Sequence, residues 1–423
     1  MKTAQTLMSL DEALERLCSG AQACAIADAQ DLPLYDALHR VLARPILSMI
    51  DVPPGDNTSM DGYALRAADV PQAGTRLRVA QRIPAGQVGQ PLEPGTAARI
   101  FTGAQVPPGA DAVVMQEQCE ALPVSTGGSA LGEVLVQAVP QAGQWVRRRG
   151  EDVKAGAVVL QAGARLTPQA LGLAASVGCA TVSVWRRPRV ALFSTGDELV
   201  MPGEVPPQQL RPGAIYNSNR NTLRGLLTAA GCEVTDLGIV PDRLDATRSV
   251  LRQAAQGHDL ILTSGGVSVG EEDHIKPAVQ AEGHIEMWQM AIKPGKPLAF
   301  GSVRTQGPRP CLFVGLPGNP VSSFVTFLVA VAPLLRALQG MPPQPFKPQH
   351  LRADFNWQQP DRRREFLRAR LNGQGGLDVF ANQSSGVLTS AVWADGLIDN
   401  PPGSPIEQGQ TVRFLSFSDL LSS

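Results

Sequence analysis

The chain has 423 residues, of which 43% are apolar and 18% charged, with a formal net charge of −1. That length allows roughly three domains with sizeable cores, and the balanced charge excludes a bulk electrostatic affinity for nucleic acid or a membrane surface. An anionic ligand must therefore be held by local charge, and with aromatics at only 5% base-stacking surfaces are not expected.

The N-terminus reads Met1-Lys-Thr-Ala-Gln-Thr-Leu-Met-Ser-Leu-Asp-Glu12, with acids where a signal peptide needs an apolar run. Cys18, Cys24, Cys119, Cys179, Cys232 and Cys311 are dispersed without a C-x-x-C pair, so free thiols in a reducing compartment are expected rather than disulfides or a zinc site. The longest apolar stretch, Phe324 to Leu335, contains Pro333 and is too short for a membrane span; it reads as a buried helix. A cytoplasmic protein without membrane partners is the expectation.

Ser9-Leu-Asp-Glu12 opens a helix as a capping box, with Leu10, Ala13, Leu14 and Leu17 at helical spacing. The turn-rich loop from Asp51 to Tyr63 follows, holding Asp56 and Asp61, where turn chemistry is the ordinary role. Between about Thr75 and Val139, short β runs such as Leu77–Ala80, Ala98–Phe101, Ala112–Met115 and Val134–Ala138 alternate with Gly and Pro, as in an all-β module. Thr102 lies in a loop between two of these runs. Trp145-Val-Arg-Arg-Arg-Gly150 is a basic run, read as a solvated face or as a source of phosphate contacts. Thr167-Pro168 begins a second helix that Gly178 stops, and Cys179 to Trp185 reads as a strand. Helical sequence on both sides of the β module implies an insertion.

From Arg187 strands alternate with helices: Val190–Phe193, the helix Asn217–Ala230, Glu233–Val240, the helix Asp245–Gln256, Leu260–Leu262, Ile285–Ile292 and Leu312–Val314. This predicts a parallel, doubly wound sheet. Glu198, Asp242, Asp273, Lys293 and the Pro317–Pro320 turn each follow a strand, so they fall on the carboxyl edge where such sheets bind ligands. Beyond Gly340 the chain is β again, with strands at Leu351–Phe355, Glu365–Leu371, Leu377–Phe380 and Val412–Phe417. Arg362-Arg-Arg364 reads as an exposed turn, and Ser384-Ser-Gly386 as a candidate contact.

The richest stretch is Leu260-Ile-Leu-Thr-Ser-Gly-Gly-Val-Ser-Val-Gly-Glu-Glu-Asp-His274. Gly265, Gly266 and Gly270 allow a sharp turn close to a ligand, and Ser268 adds a hydroxyl beside the freed N–H groups, giving an anion cradle. Three carboxylates follow at once, which a divalent cation such as Mg²⁺ would reconcile with a phosphate. The plain alternative is a glycine-rich turn with Asp273 capping the next helix. Neither a Walker A loop nor a dinucleotide fingerprint is present.

In order along the chain stand Ser59-Met-Asp-Gly-Tyr-Ala64, Arg99-Ile-Phe-Thr-Gly-Ala104 with Ala110-Asp-Ala-Val-Val-Met-Gln-Glu117, Arg149-Gly-Glu-Asp152, Ser194-Thr-Gly-Asp-Glu-Leu199, Tyr216-Asn-Ser-Asn219, Thr263-Ser-Gly-Gly-Val-Ser-Val-Gly270, Lys293-Pro-Gly-Lys-Pro297 and Gly315-Leu-Pro-Gly-Asn-Pro-Val321. Together they resemble the molybdopterin molybdenumtransferase family, bacterial MoeA and the E domain of gephyrin. The resemblance implies a multidomain α/β fold: a helical dimerisation domain (residues 1–47 and 145–185), an inserted β domain (48–144), a doubly wound molybdopterin-binding α/β domain (186–340) and a C-terminal β-barrel-like domain (341–423). It implies a homodimer with a shared cleft that takes adenylylated molybdopterin and molybdate, releases AMP with Mg²⁺, and passes its product to molybdoenzymes or their chaperones.

By motif, Glu198, Asp242 and Asp273 would hold the metal, and Asp61, Thr102, Glu198 and Asp273 would serve catalysis, Asp61 and Thr102 from the partner subunit. Gly265, Gly266, Ser268, Lys293, Lys296, Pro317, Pro320 and Ser385 would bind substrate. Two positions depart from the family pattern: His274 ends the glycine loop where an aromatic is common, and Arg243 follows Asp242 where a second acid is common. The rivals are a molybdopterin adenylyltransferase on the same α/β fold, which the inserted β domain disfavours, and a non-catalytic scaffold of gephyrin type.

Overall fold

The structure, a computed structural model, describes residues 7–122, 130–267 and 274–422. The first helix spans Leu10–Ala23, and the Ser9 hydroxyl accepts from the Glu12 N–H at 3.1 Å, the expected cap. Its buried face of Leu10, Ala13, Leu17 and Ala21 packs on the far helix Ala332–Leu338, so the N-terminus is tied to the core of the α/β region.

The segments flanking the inserted module are held together by strand pairs as much as by helix. Ala29–Pro33 pairs with Thr181–Trp185, and Ile46–Leu47 pairs with Val158–Leu160. These surround the Pro168–Ser176 helix, whose Thr167 cap accepts from the Ala170 N–H. Alternating Val182 and Val184 on one strand and the proline-punctuated run before residue 47 favour extended backbone over further helix. The chain leaves this layer near Asn57–Thr58 and re-enters beside it at Val146–Arg147, the two segments paired antiparallel. Between them lies a six-stranded sheet of Gly62–Leu65, Thr75–Ile83, Thr96–Ile100, Ala112–Met115, Cys119–Leu122 and Glu133–Val136. That is the inserted β module. Its basic approach is not a free cationic face: Arg148 pairs with Asp56 at 2.7 Å and Arg149 with Asp51 at 2.6 Å.

The central sheet contains β1 (Arg189–Thr195), β2 (Glu233–Val240), β3 (Leu260–Ser264), β4 (Gly283–Gln289), β5 (Pro297–Val303) and β6 (Cys311–Leu316). Its order is β2-β1-β3-β6-β5-β4. The pairs among β2, β1, β3 and β6 are parallel; those of β5 with β6 and with β4 are antiparallel. The sheet is therefore mixed, with β5 alone reversed. The links 290–296 and 304–310 are shorter than the crossover of about a dozen residues that a parallel neighbour needs. The strand expected over Ile285–Ile292 ends at Gln289, and Ile292–Lys293 pairs instead with Arg364–Glu365 of the C-terminal sheet. Because β4 runs with the parallel strands, the 290–296 link still sits at their carboxyl edge.

Asn319 is the N-cap residue of the apolar helix and Pro320 is its first residue. It runs as Pro320–Thr326, a π-helical turn Phe327–Val331, and Ala332–Leu338. Pro333 cannot donate a backbone hydrogen bond, and a widened turn at such a point is how a helix continues past it. By length and composition Pro320–Leu338 could cross a membrane, but its most apolar window is 89% buried inside the protein, so it is a core helix.

The C-terminal sheet orders Ile292–Lys293, Arg364–Leu371, Gly396–Asn400, Thr411–Ser416 and Gln349–Arg352. Leu377–Val379 pairs with Arg364–Leu371 and is bridged to Ala353, which curls the sheet toward closure. Gly396–Asn400 was not foreseen: it is buried throughout yet ends in Asp399 and Asn400, so it shows no apolar alternation. Asp399 is neutralised by Arg364 at 2.6 Å and Arg413 at 2.9 Å.

Phe327 is fully buried at the centre of the largest apolar cluster. Phe327→Ala should cost about 3–5 kcal/mol, measured as a lower midpoint of chemical unfolding; an unchanged midpoint would show that this helix does not carry the core.

Candidate active site

A cleft of about 640 Å³ opens at the carboxyl edge of the central sheet. Glu198 enters it after β1 and Asp242 after β2. Gly196, at φ +142°, leaves the space the Glu198 carboxylate occupies: a Cβ there would lie 2.6 Å from Glu198 Oε2.

After β3, Gly265 and Gly266 take φ +89° and +68°. A Cβ on Gly265 would meet the Thr195 carbonyl at 2.7 Å, and one on Gly266 would meet Ile275 Cγ1 at 2.5 Å and Thr195 Oγ1 at 2.8 Å. These glycines are required by conformation and by close approach together. Thr195 lines the cleft, is only 4% exposed, and its hydroxyl has no hydrogen-bond partner among the described residues. A buried hydroxyl left unsatisfied at a cleft wall is suited to a ligand acceptor. Sequence reading passed over Thr195 because a threonine ending a strand is ordinary. Ser268 and Asp273 lie outside the described residues.

Lys293 and Lys296 reach the cleft from the β4–β5 link. Lys293 Nζ is 3.3 Å from Glu365 on the C-terminal sheet and 3.5 Å from Asp361 in the loop just before that strand. Lys296 is exposed and makes no ion pair among the described residues. Pro317 lines the cleft with Gly318 and Asn319; the turn is held by Asn219 Nδ2 donating to the Gly318 carbonyl at 2.7 Å and by the Ser323 hydroxyl on the Pro317 carbonyl. Pro320 stands just behind this wall, as the first residue of the apolar helix.

The C-terminal domain closes the remaining side with Arg363, Gln383, Ser384 and Ser385. The Val321 N–H donates to the Ser385 carbonyl at 3.0 Å. Arg368, 1% exposed, donates to the Ser384 carbonyl and the Ser390 hydroxyl, with no carboxylate partner among the described residues, and burial pushes its pKa down to about 10. Its backbone exchanges hydrogen bonds with Gln383 at 2.9 and 3.0 Å, which pins the loop. The expected exposed turn at Arg362–Arg364 is thus corrected. Arg363 forks onto Asp361 at 2.9 Å for both contacts and lines the cleft, while Arg364 opens a strand. The guanidinium beside Asp361 holds that carboxyl well below the usual range.

Asp61 and Thr102 do not line this cleft. They meet each other in the inserted module, where Asp61 Oδ1 accepts from the Thr102 N–H and hydroxyl, both at 2.7 Å. Those two bonds, backbone first, lower the Asp61 pKa. Arg99 lies over the Tyr63 and Phe101 rings beside them. Among the described residues no three metal-ligand side chains cluster; Glu198 and Asp242 are the carboxylates of the cleft. Two carboxylates with room for ligand oxygens and water suit Mg²⁺, which keeps several waters. No cysteine is among the residues lining the cleft, and burial pushes the Cys119 thiol up to about 11 and that of Cys232 up to about 12.

Three family models match the chain: the MoeA N-terminal region (domain I and II) over residues 8–178, the "probable molybdopterin binding domain" over 191–337, and the MoeA C-terminal region (domain IV) over 350–417. Molybdopterin molybdenumtransferase of Haemophilus influenzae is 40% identical over 98% of this chain and 100% of its own, and that of Bacillus subtilis 33% over 97% and 94%. A crystal structure of the molybdopterin biosynthesis moeA protein from Pyrococcus horikoshii OT3 superposes with a TM-score of 0.80 at 28% identity, covering 97% of this chain and 100% of that one.

Two substitutions test this geometry. Gly266→Ala should weaken anion binding about tenfold, or about 1.4 kcal/mol, whereas Gly257→Ala, whose Cβ would meet nothing within 4 Å, should leave binding unchanged. Hydrogen bonds to the charged form depress a carboxyl pKa, so Asp61 stays ionised to a lower pH than an ordinary carboxylate. Thr102→Val removes one of those bonds, and an NMR titration should show the Asp61 pKa moving up toward the ordinary carboxylate value; no upward movement would show that the hydroxyl does not hold the charge.

Proposed function

The chain belongs to the molybdopterin molybdenumtransferase (MoeA) family, transferases of molybdenum cofactor biosynthesis, and from that premise we propose that it transfers molybdenum from molybdate to adenylylated molybdopterin with Mg²⁺-dependent release of AMP. The observation that supports this most is the make-up of the cleft. One sheet edge joins a glycine cradle, two carboxylates and two lysines, the set needed to hold a metal-bound pyrophosphate beside a second oxyanion.

In this reading Gly265, Gly266 and the Thr195 hydroxyl take the phosphates, with Ser268 from the same loop. Glu198, Asp242 and Asp273 hold the metal, which when bound would neutralise charge growing on the leaving phosphate. Lys293, Lys296 and Ser385 hold molybdate, and Pro317 and Pro320 shape the wall against the pterin. An oxygen of water or of molybdate attacks the adenylyl phosphorus, the pterin phosphate leaves with the bridging oxygen, and AMP carries the new one. Each Mo–S bond to the dithiolene replaces a Mo–O bond, whose oxygen leaves as water with the thiol protons or on AMP, with no change in oxidation state. Such chemistry is governed by positioning and charge neutralisation rather than by a covalent intermediate. An adenylyltransferase reading does not account for the inserted module or the C-terminal sheet, both of which belong to the matched family regions.

The domains would divide as 1–47 with 145–185, 48–144, 186–340 and 341–423, the first serving a homodimer. Asp61 and Thr102, remote from the cleft within one chain, would then complete the cleft of the partner subunit. The work would be cytoplasmic.

Glu198→Gln, Asp242→Asn and Asp273→Asn should each lower Mg²⁺-dependent AMP release about a hundredfold while leaving the thermal midpoint nearly unchanged. Full activity in any of them removes that residue from the metal site. Light scattering should give a dimeric mass; a monomer would undercut the role given to Asp61 and Thr102.

A further inference from the structure

We infer that Glu365, supplied by the C-terminal sheet, is the positioning residue that sets where Lys293 presents its charge in the cleft; this rests on the proposed oxyanion-holding role of Lys293. Glu365 is fully buried. Its Oε2 is satisfied by Trp357 Nε1 at 3.0 Å and Asn400 Nδ2 at 3.2 Å, both fixed donors. Its Oε1 faces Lys293 Nζ at 3.3 Å, the one ion pair Glu365 makes among the described residues.

A buried carboxylate without a cationic partner is costly, so this geometry is locked from the acid's side. The lysine side is looser, since its side chain is 36% exposed and both its acid contacts exceed 3 Å. The backbones are locked too: Lys293 pairs with Glu365 and Ile292 with Arg364 in a parallel ladder, the Arg364 N–H donates to the Ala291 carbonyl, and Arg363 Nη1 reaches the Ile292 carbonyl. Lys296, three residues on, has no such restraint among the described residues. The two lysines of one motif are thus unlike: one is aimed by a buried acid, the other is exposed.

Lys293 and Arg363 are balanced charge for charge by Asp361 and Glu365. Replacing Glu365 by its neutral isostere keeps the side-chain shape and adds one net positive charge beside the cleft. A positioning role and a merely structural role then separate, because affinity for an oxyanion and turnover should move differently.

The test uses the full-length chain. Glu365→Gln should lower kcat for AMP release about tenfold with KM for molybdate no higher than in the wild type. Lys293→Met should lower Tm by stranding the buried carboxylate, and adding Glu365→Gln should restore most of that loss. The inference is overturned by a kcat within about twofold of the wild type, by a raised KM in Glu365→Gln, or by additive Tm losses in the double variant. Should the wild-type chain release no AMP, the proposed activity fails on its own. The Tm cycle, with calorimetric binding of inorganic molybdate to Glu365→Gln, still decides the coupling: weaker binding or additive Tm losses overturn it.

Discussion

Everything at the candidate site depends on strand direction. Five strands of the central sheet run the same way, so the loops after β1, β2, β3, β4 and β6 emerge on one edge. Backbone direction alone gathers Glu198, Asp242, the Gly265–Gly266 turn, the Lys293–Lys296 link and the Pro317 turn. Reversing β5 does not break this convergence. It turns the fourth loop into a short hairpin link, and a short link places its lysines more tightly than a long crossover would.

Convergence brings an electrostatic problem with it. A cleft that collects carboxylates for a cation and cations for anions must keep them from cancelling one another. Here the separation follows the polypeptide: the acids that could face a metal come from β1 and β2, whereas Lys293 and Arg363 are matched by Asp361 and Glu365 from the C-terminal domain. Lys293 and Arg363 therefore each have a local partner that holds them on their own side, while Lys296 has no ion pair among the described residues. Arg368 serves the same wall with no acid partner among the described residues, by holding the Gln383 side-chain amide and the Ser384 carbonyl from beneath.

Much of this was legible in the sequence wherever a local rule governs the outcome. The Ser9 and Thr167 caps, the buried apolar helix and the carboxyl-edge position of Glu198 and Asp242 follow from propensity and from alternation of strand with helix. What was not legible depends on contacts between distant segments. Arg362–Arg364 looks like a solvated turn until Asp361 and Asp399 are seen to neutralise it. Gly396–Asn400 looks unlike a strand because its polar residues are paid for across the sheet by Arg364, Arg413 and the Glu365 carboxylate. Lys293 looked like the end of a long strand, and only its pairing with Glu365 shows that it belongs to two domains at once.

That double membership bears on why the C-terminal sheet is present. A domain that merely capped the cleft would need apolar contact and little more. This one instead sends a strand to pair with Ile292–Lys293, a buried acid to the Lys293 ammonium, an arginine to the cleft wall and the Ser385 carbonyl to the first turn of the Pro320 helix. Moving the sheet by even one residue of register would turn Glu365 to the opposite face and take its carboxylate away from the Lys293 ammonium. The position of the C-terminal domain and the aim of the cleft's lysine are therefore one constraint, and neither can drift in the folded chain without the other.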